Sequence, residues 1–311
     1  MVVLGVDTSN YATSVAVVDT GRREVVCAKK QPLSVPEGQA GLRQSDALFQ
    51  HTVALPGLFA EMEKEGVLQG IEAVSVSEKP RPQECSYMPC FLAGVNAAAA
   101  VSAGLGCPLS RTTHQQGHLA AAMFASGRVD LYGEEEFFIF HFSGGTTELL
   151  RARGFSRVEV IGESLDLYAG QAVDRLGLRL GFPFPAGEKV SHLAAQCAEP
   201  VVPKLSMQGG NCHLSGLQNQ CETLLKKGKD PAYVAKYCLL AIAGTALEML
   251  AFARNTYGPL PVLCAGGVMG SRLIQTHMRQ RAEDVHFVPP AYSSDNAVGV
   301  AFIAEGEAPH A

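Results

Sequence analysis

Apolar and polar positions along the chain alternate between short continuous runs and helical spacing. Val2-Val3-Leu4-Gly5-Val6 is an apolar run, Asp7-Thr8-Ser9-Asn10 a polar turn, and Thr13-Ser14-Val15-Ala16-Val17-Val18 a second run, with a third over residues 24–28. Runs of this length bounded by turn residues predict strands. Leu48, Phe49, Val53, Leu55, Leu58, Phe59 and Met62 then recur at helical spacing and predict a helix over 45–65. Ala73-Val74-Ser75-Val76 predicts another strand, and small residues over 91–103 a helix after a proline-rich stretch at 80–89. The order is βββαβα.

A similar order starts again at Phe137. Phe138-Ile139-Phe140-His141-Phe142 predicts a strand, Ser143-Gly144-Gly145-Thr146-Thr147 a turn, and Glu148-Leu149-Leu150-Arg151-Ala152 the returning strand. Residues 158–162 follow as a strand, then helices around 168–180 and 231–256, and a buried strand Pro261-Val262-Leu263-Cys264-Ala265 ending in Gly266-Gly267-Val268. A strand–turn–strand unit used twice predicts an α/β protein of two lobes, each directing its turn into a shared cleft that would hold nucleotide and metal. The expected division is 1–108 with 295–311 against 109–294, the helix after Asp295 packing back across the cleft.

Composition narrows the class. With 311 residues, 47% hydrophobic and 18% charged, the chain can bury a large core. A net charge of −5 argues against broad electrostatic capture of nucleic acid, so any RNA contact needs a local basic surface or a partner. Nine scattered cysteines, an odd number without paired finger spacing, fit reduced thiols in a cytoplasmic protein. The apolar start lacks a basic flank and runs into Asp7, so a strand is expected there and not a targeting peptide. Apolar runs are read as interrupted too early to span a bilayer, and no membrane partner is expected.

Several polar groups stand out. His114 and His118, at i and i+4, share one helical face and could present two ligands to one metal ion, although such pairs also occur on solvated faces. Ser143-Gly144-Gly145-Thr146-Thr147 offers exposed amides and hydroxyls suited to an anion, or is an ordinary Gly-Gly hairpin. Asp7-Thr8-Ser9 is a similar turn with an Asx-turn alternative. Gly266-Gly267-Val268-Met269-Gly270-Ser271 joins a strand to a helix N-terminus, where a nucleotide can approach or where backbones simply pack closely. Asp174 could accept ribose hydroxyls or make a surface ion pair. It precedes a turn, Phe182-Pro183-Phe184-Pro185-Ala186-Gly187. His141 reaches the same cleft or sits in the core. His51, His192 and His213 receive no role.

Together these features resemble the two-lobed actin, sugar-kinase and heat-shock-chaperone (ASKHA) ATPase fold, with ribonuclease H-like lobes. His114-x-x-Gly117-His118 is similar to the metal motif of the TsaD/Gcp family, once called O-sialoglycoprotease (peptidase family M22), and the resemblance extends over nearly the whole chain. The family's Ser-Gly-Gly-x-Thr loop matches Ser143 to Thr147, its Ser-Gly-Leu turn Ser215-Gly216-Leu217, its Gly-Gly-Val loop Gly266-Gly267-Val268, and its C-terminal motif Ser294-Asp295-Asn296. The resemblance implies threonylcarbamoyl transfer from an adenylate to a tRNA adenosine. One divalent ion, iron or zinc, would lie on His114, His118 and Asp295, with His141 a further candidate ligand. Asp7, Thr8, Ser9, Ser143, Gly144, Gly145, Thr146, Thr147, Asp174, Gly187, Gly266, Gly267 and Ser271 are implied around the adenine nucleotide, threonylcarbamoyl-adenylate or ATP. No catalytic residue is assigned beyond the metal site. Implied partners are TsaB- or TsaE-like proteins or a TsaD homologue, with tRNA reached through them.

The match has departures that suggest a divergent paralogue. The family's acidic pair is Tyr11-Ala12 here, and its Gly-Pro-Gly loop is Arg81-Pro82-Gln83-Glu84-Cys85. Gln116 replaces an acid between the histidines, Gln218 a lysine, Arg175 another lysine, Ser271 an asparagine, and His141 a tyrosine. Two other functions therefore stand beside the transferase. One is a non-catalytic nucleotide- and metal-binding protein that regulates or scaffolds a homologue. The other, an ATPase or small-molecule kinase, is disfavoured because that chemistry uses Mg²⁺ on carboxylates and waters. The old peptidase label lacks a His-Glu-x-x-His helix.

Overall fold

The computed structural model describes residues 1–9, 12–35, 42–83, 85–133, 135–154, 157–292 and 297–304. The sequence candidates Asp295 and Tyr11 lie outside them. In chain order the elements are β1 (Val2–Ser9), β2 (Ala12–Asp19), β3 (Glu24–Pro32), α1 (Gln44–Lys64), β4 (Ala73–Lys79), α2 (Phe91–Leu105), β5 (Leu109–Thr113) and α3 (His114–Ala125). There follow β6 (Glu136–Phe142), β7 (Thr147–Arg153), β8 (Arg157–Glu163), α4 (Ala169–Arg179), α5 (Gly187–Ala194), β9 (Met207–Gln208), β10 (Asn211–Cys212), α6 (Ser215–Lys226) and α7 (Pro231–Tyr257). The chain ends in β11 (Val262–Ala265), α8 (Arg272–Arg279), β12 (Val285–Phe287) and α9 (Val298–Ile303).

Two compact units result, 1–132 with 294–311, and 133–293. The expected break after residue 108 is displaced because Leu109–Thr113, too short and polar to signal a strand, pairs in parallel with β4 and completes the first sheet. Its strand order is β3-β2-β1-β4-β5. The second sheet, β8-β7-β6-β11-β12, repeats that order with the same antiparallel start and parallel finish. The duplication expected from the strand–turn–strand repeat is thus a duplication of topology.

In the first unit β1 is central and covered on both faces, which is why it reads as a continuous apolar run. On one face Leu4 and Val6 pack with Leu55, Leu58 and Met62 of α1 and Ala98 of α2. On the other, α9 lies so close that a Cβ on Gly5 would meet the Ala297 carbonyl at 2.4 Å. α9 also crosses α3 at backbone contact. A Cβ on Gly299 would sit 1.8 Å from the Gly117 carbonyl oxygen, and one on Gly117 would meet Val300 at 2.7 Å. Glycine on both helices sets that spacing, and it fixes the turn carrying both candidate metal histidines.

The second unit is built on α7. This helix is long and apolar enough by length and composition to cross a membrane, contrary to the reading of interrupted apolar runs, but 72% of its most apolar window is buried. Val234, Ile242, Met249 and Ala253 pack there with Phe138 and Phe140 of β6, so α7 is a core helix. α6 is pinned at its start by Asp166, whose carboxylate accepts hydrogen bonds from the Leu214 and Ser215 amides at 2.7 and 3.2 Å and from the Ser215 hydroxyl. Desolvation opposes its charge, but these donors outweigh that cost and bring its pKa down to about 2.

Gly299→Ala is expected to destabilise the protein by ~1–3 kcal/mol through overpacking against α3. Gly104→Ala, in α2 with no neighbour within 4 Å of its Cβ, should be neutral or slightly stabilising. Urea denaturation of both variants checks the pair, and equal midpoints would refute the tight crossing. Asp166 also yields a pH dependence. Because its folded pKa is depressed, its stabilisation is complete above the ordinary carboxylate range and is lost as the pH falls toward about 2. Asp166→Asn should therefore lower stability near neutrality and flatten the acid limb of a stability-versus-pH curve.

Candidate functional site

In the first unit the structure brings Asp7, His114 and His118 together. Asp7 lies near the end of β1 and is fully buried. Thr113 starts α3 with a capping box, its hydroxyl accepting from the Gln116 amide while Gln116 Oε1 accepts from the Thr113 amide at 3.0 Å. This box points the first turn of α3 at β1, and His114 Nδ1 reaches Asp7 Oδ1 at 3.1 Å. One turn on, His118 Nε2 lies 3.0 Å from His114 Nε2.

Two ring nitrogens at that separation hold a proton or a cation between them. Ligand nitrogens ~2.0–2.1 Å from one divalent ion lie at about this distance from each other. A carboxylate on the far nitrogen of a histidine is the usual outer partner of such a ligand. The donor set therefore fits a divalent ion. Among the described residues no group of three or more His, Cys, Asp or Glu side chains is placed to hold a metal, and Asp295 lies outside them.

Thr8 and Ser9 are buried with Asp7. The Thr8 hydroxyl meets the Cys90 carbonyl at 3.1 Å and accepts from the Gly94 amide at 3.1 Å, so it fastens the start of α2. Behind the same turn sits His51, given no role by its sequence context. Its Nδ1 meets the Thr13 hydroxyl at 2.8 Å, and burial pushes its pKa down against the opposing pull of the Asp7 charge. Ser77 was equally silent, yet its hydroxyl donates to Asp7 Oδ1.

The second unit links most of the remaining candidates. Ser143 Oγ accepts from the Gly145 and Thr146 amides at 3.2 and 3.1 Å, closing the loop between β6 and β7. Gly144 and Gly145 are exposed, and a Cβ at either would meet nothing within 4 Å, so the loop surface is open. The start of α4 is tied to it, the Gly170 amide donating to the Ser143 carbonyl at 2.9 Å and the Ala169 amide to Thr147 Oγ1 at 2.7 Å. Thr146 Oγ1 meets His141 Nδ1 at 3.2 Å, so His141 borders this loop. From α4, Asp174 Oδ1 accepts from the Ala186 amide at 2.8 Å and fixes the start of α5, where Gly187 leads. Ser191 of α5 donates to Ser271 Oγ at 2.9 Å. Gly266, at φ 95°, lies against Phe142, where a Cβ would stand 2.2 Å from its carbonyl oxygen. Its neighbour Gly267 is exposed and open.

Several departures from the family pattern acquire partners. Gln116 completes the capping box, a task glutamine performs as well as glutamate. Arg175 Nη1 donates to Gln218 Oε1 at 2.9 Å, so two altered positions contact each other. Ala12, where the family carries an acid, is buried in β2.

A family model described as tRNA N6-adenosine threonylcarbamoyltransferase (TsaD) matches residues 44–302. A relative of that description from Thermus thermophilus is 31% identical over 310 residues, spanning 98% of this chain and 92% of its own. The fold is similar to the activator of the 2-hydroxyisocaproyl-CoA dehydratase from Clostridium difficile, solved with bound ADPNP, at TM-score 0.54 and 12% identity over 100% of this chain and 99% of that one. It is also similar to a ROK family glucokinase from Streptomyces griseus, solved with glucose and AMPPNP, at TM-score 0.52 and 14% identity over 98% and 100%. These likenesses establish the actin-like ATPase and kinase fold, and the family match establishes that this chain belongs to the tRNA N6-adenosine threonylcarbamoyltransferase (TsaD) family.

Proposed function

We propose that this chain transfers a threonylcarbamoyl group from its adenylate to the N6 amine of a tRNA adenosine, using one divalent ion, iron or zinc, on His114, His118 and Asp295. The observation that carries the reading is the pair of ring nitrogens 3.0 Å apart, backed by a buried carboxylate on His114. When bound, the ion would polarise the carbamoyl group and offset charge developing in acyl transfer.

The chain's own residues supply the rest. Asp7 holds the His114 ring so that Nε2 faces His118. The open Ser143–Thr146 loop would take the adenylate phosphate, with α4 anchored behind it. Asp174 keeps Gly187 in place, and Gly267 leaves room beside the Ser271 junction, for the nucleoside. His141, beside the loop, stands as the further ligand candidate. TsaB- or TsaE-like proteins, or a homologue, would present the tRNA to this acidic chain in the cytoplasm.

One observation favours a second reading. Burial of apolar Ala12 at the family's acid position, next to Ser9 in the β1–β2 pair, suits a paralogue that binds nucleotide and metal while scaffolding a catalytic homologue. Purified protein with family partners, labelled threonylcarbamoyl-adenylate and tRNA separates the two. Transfer that falls on the order of 100-fold or more in His114→Ala/His118→Ala, with metal content lost and adenine nucleotide binding kept, is the expected result. Metal and nucleotide binding with a tight homologue complex and no transfer would establish the scaffold instead.

A further inference from the structure

We propose that the exposed side of α8 holds RNA by its phosphate backbone, through Arg272, Arg279 and Arg281. In a chain of net charge −5, the segment from Arg272 to Arg281 carries three arginines and a histidine and no acidic residue. Ile274 and Met278 turn inward and are fully buried, while the three arginines are exposed. Arg272 and Arg279, seven residues apart, share one face of α8 and stand about 10 Å apart along its axis. Arg281 follows just beyond the last turn.

None of these three guanidinium groups pairs with a carboxylate among the described residues. By contrast Arg128, Arg151 and Arg179 are each paired with an acid. Arg279 lies over the Phe287 ring at 4.9 Å, and Arg281 Nη1 donates to the His277 carbonyl at 3.2 Å. Those contacts steady the two groups and leave most of their five donors facing water. The acids that follow in sequence are Glu283 and Asp284, and Asp284 already meets His286 Nε2 at 2.6 Å. A planar fork of donors matches phosphate oxygens two at a time. An anionic membrane would also need apolar side chains to bury, whereas those of α8 are packed into their own unit. The stripe begins at Arg272, directly after the Gly266–Ser271 junction proposed for the nucleoside. A local basic surface of this kind is what an acidic chain needs to touch RNA at all.

The identity of the polyanion rests on the proposed tRNA reaction, so binding and transfer are measured separately on the full chain. Arg272→Gln/Arg279→Gln/Arg281→Gln is compared with Lys226→Gln/Lys227→Gln/Lys229→Gln, which removes three exposed charges around the end of α6 in the same unit. Affinity for tRNA is read by fluorescence anisotropy over a salt series. Wild type and the lysine variant should bind alike. The arginine variant should bind on the order of 10- to 100-fold more weakly at ~0.1 M salt, with the slope of log affinity against log salt flatter by about 2 to 3. Replacing the same three arginines by lysine keeps the charges and should restore most of the slope. Equal losses in the two glutamine variants, or no tRNA binding by wild type, overturn the proposal while leaving a partner-delivered reaction intact. Equally strong, stripe-dependent binding of polyglutamate or phosphatidylserine vesicles overturns the choice of RNA. Stripe-dependent tRNA binding without transfer, family partners present, upholds the contact and removes the transferase reading alone.

Discussion

A carboxylate sealed from water is the constraint on which the first unit depends. Desolvating a lone carboxylate costs several kcal/mol, so Asp7 is tolerable only where donors converge on it. They come from elements far apart in the chain, the Ser77 hydroxyl from β4 and the His114 ring from α3. Meeting that need fixes the position of the His turn against β1. The glycine contact between α3 and α9 holds the same turn from the other side. The candidate metal pair is thus tied to that buried carboxylate through His114.

The second unit solves a different problem, keeping a glycine loop open without letting it collapse. Ser143 folds the loop onto itself, and the start of α4 is bonded to its base. The contacts from Asp174 to Ala186 and from Ser191 to Ser271 extend that rigidity through α5 to α8. Two sequence departures that looked like lost charges, Arg175 and Gln218, are one hydrogen-bonded contact. Substitutions that compensate each other locally say less about lost activity than substitutions standing alone, such as Ala12.

The fold by itself does not select the chemistry, because its neighbours include a kinase and a dehydratase activator. At the centre of the first unit the structure places two imidazoles beside the buried Asp7 carboxylate. The transferase class rests on family membership.

Much was legible before any coordinates. The short apolar runs around Val2, Val15 and Phe138 are strands because both their faces are covered, and repetition of the strand–turn–strand unit revealed the duplicated topology. His114 and His118 could be paired on paper because helical spacing is local. The acidic turn at Asp7 was visible too, but its burial and its role behind His114 were not. Ser77 could not be found at all, since a parallel strand pair brings it to Asp7 from 70 residues away and leaves no spacing signal. For the same reason β5 was assigned to the wrong half, as a short polar segment is a strand only once β4 is beside it. Sequence alone thus determined the principal elements, the duplication and the candidate chemistry, all written in local patterns. Tertiary structure decided which hydroxyl, carboxylate and ring meet, because desolvation and close backbone crossing act only between segments that the chain order keeps apart.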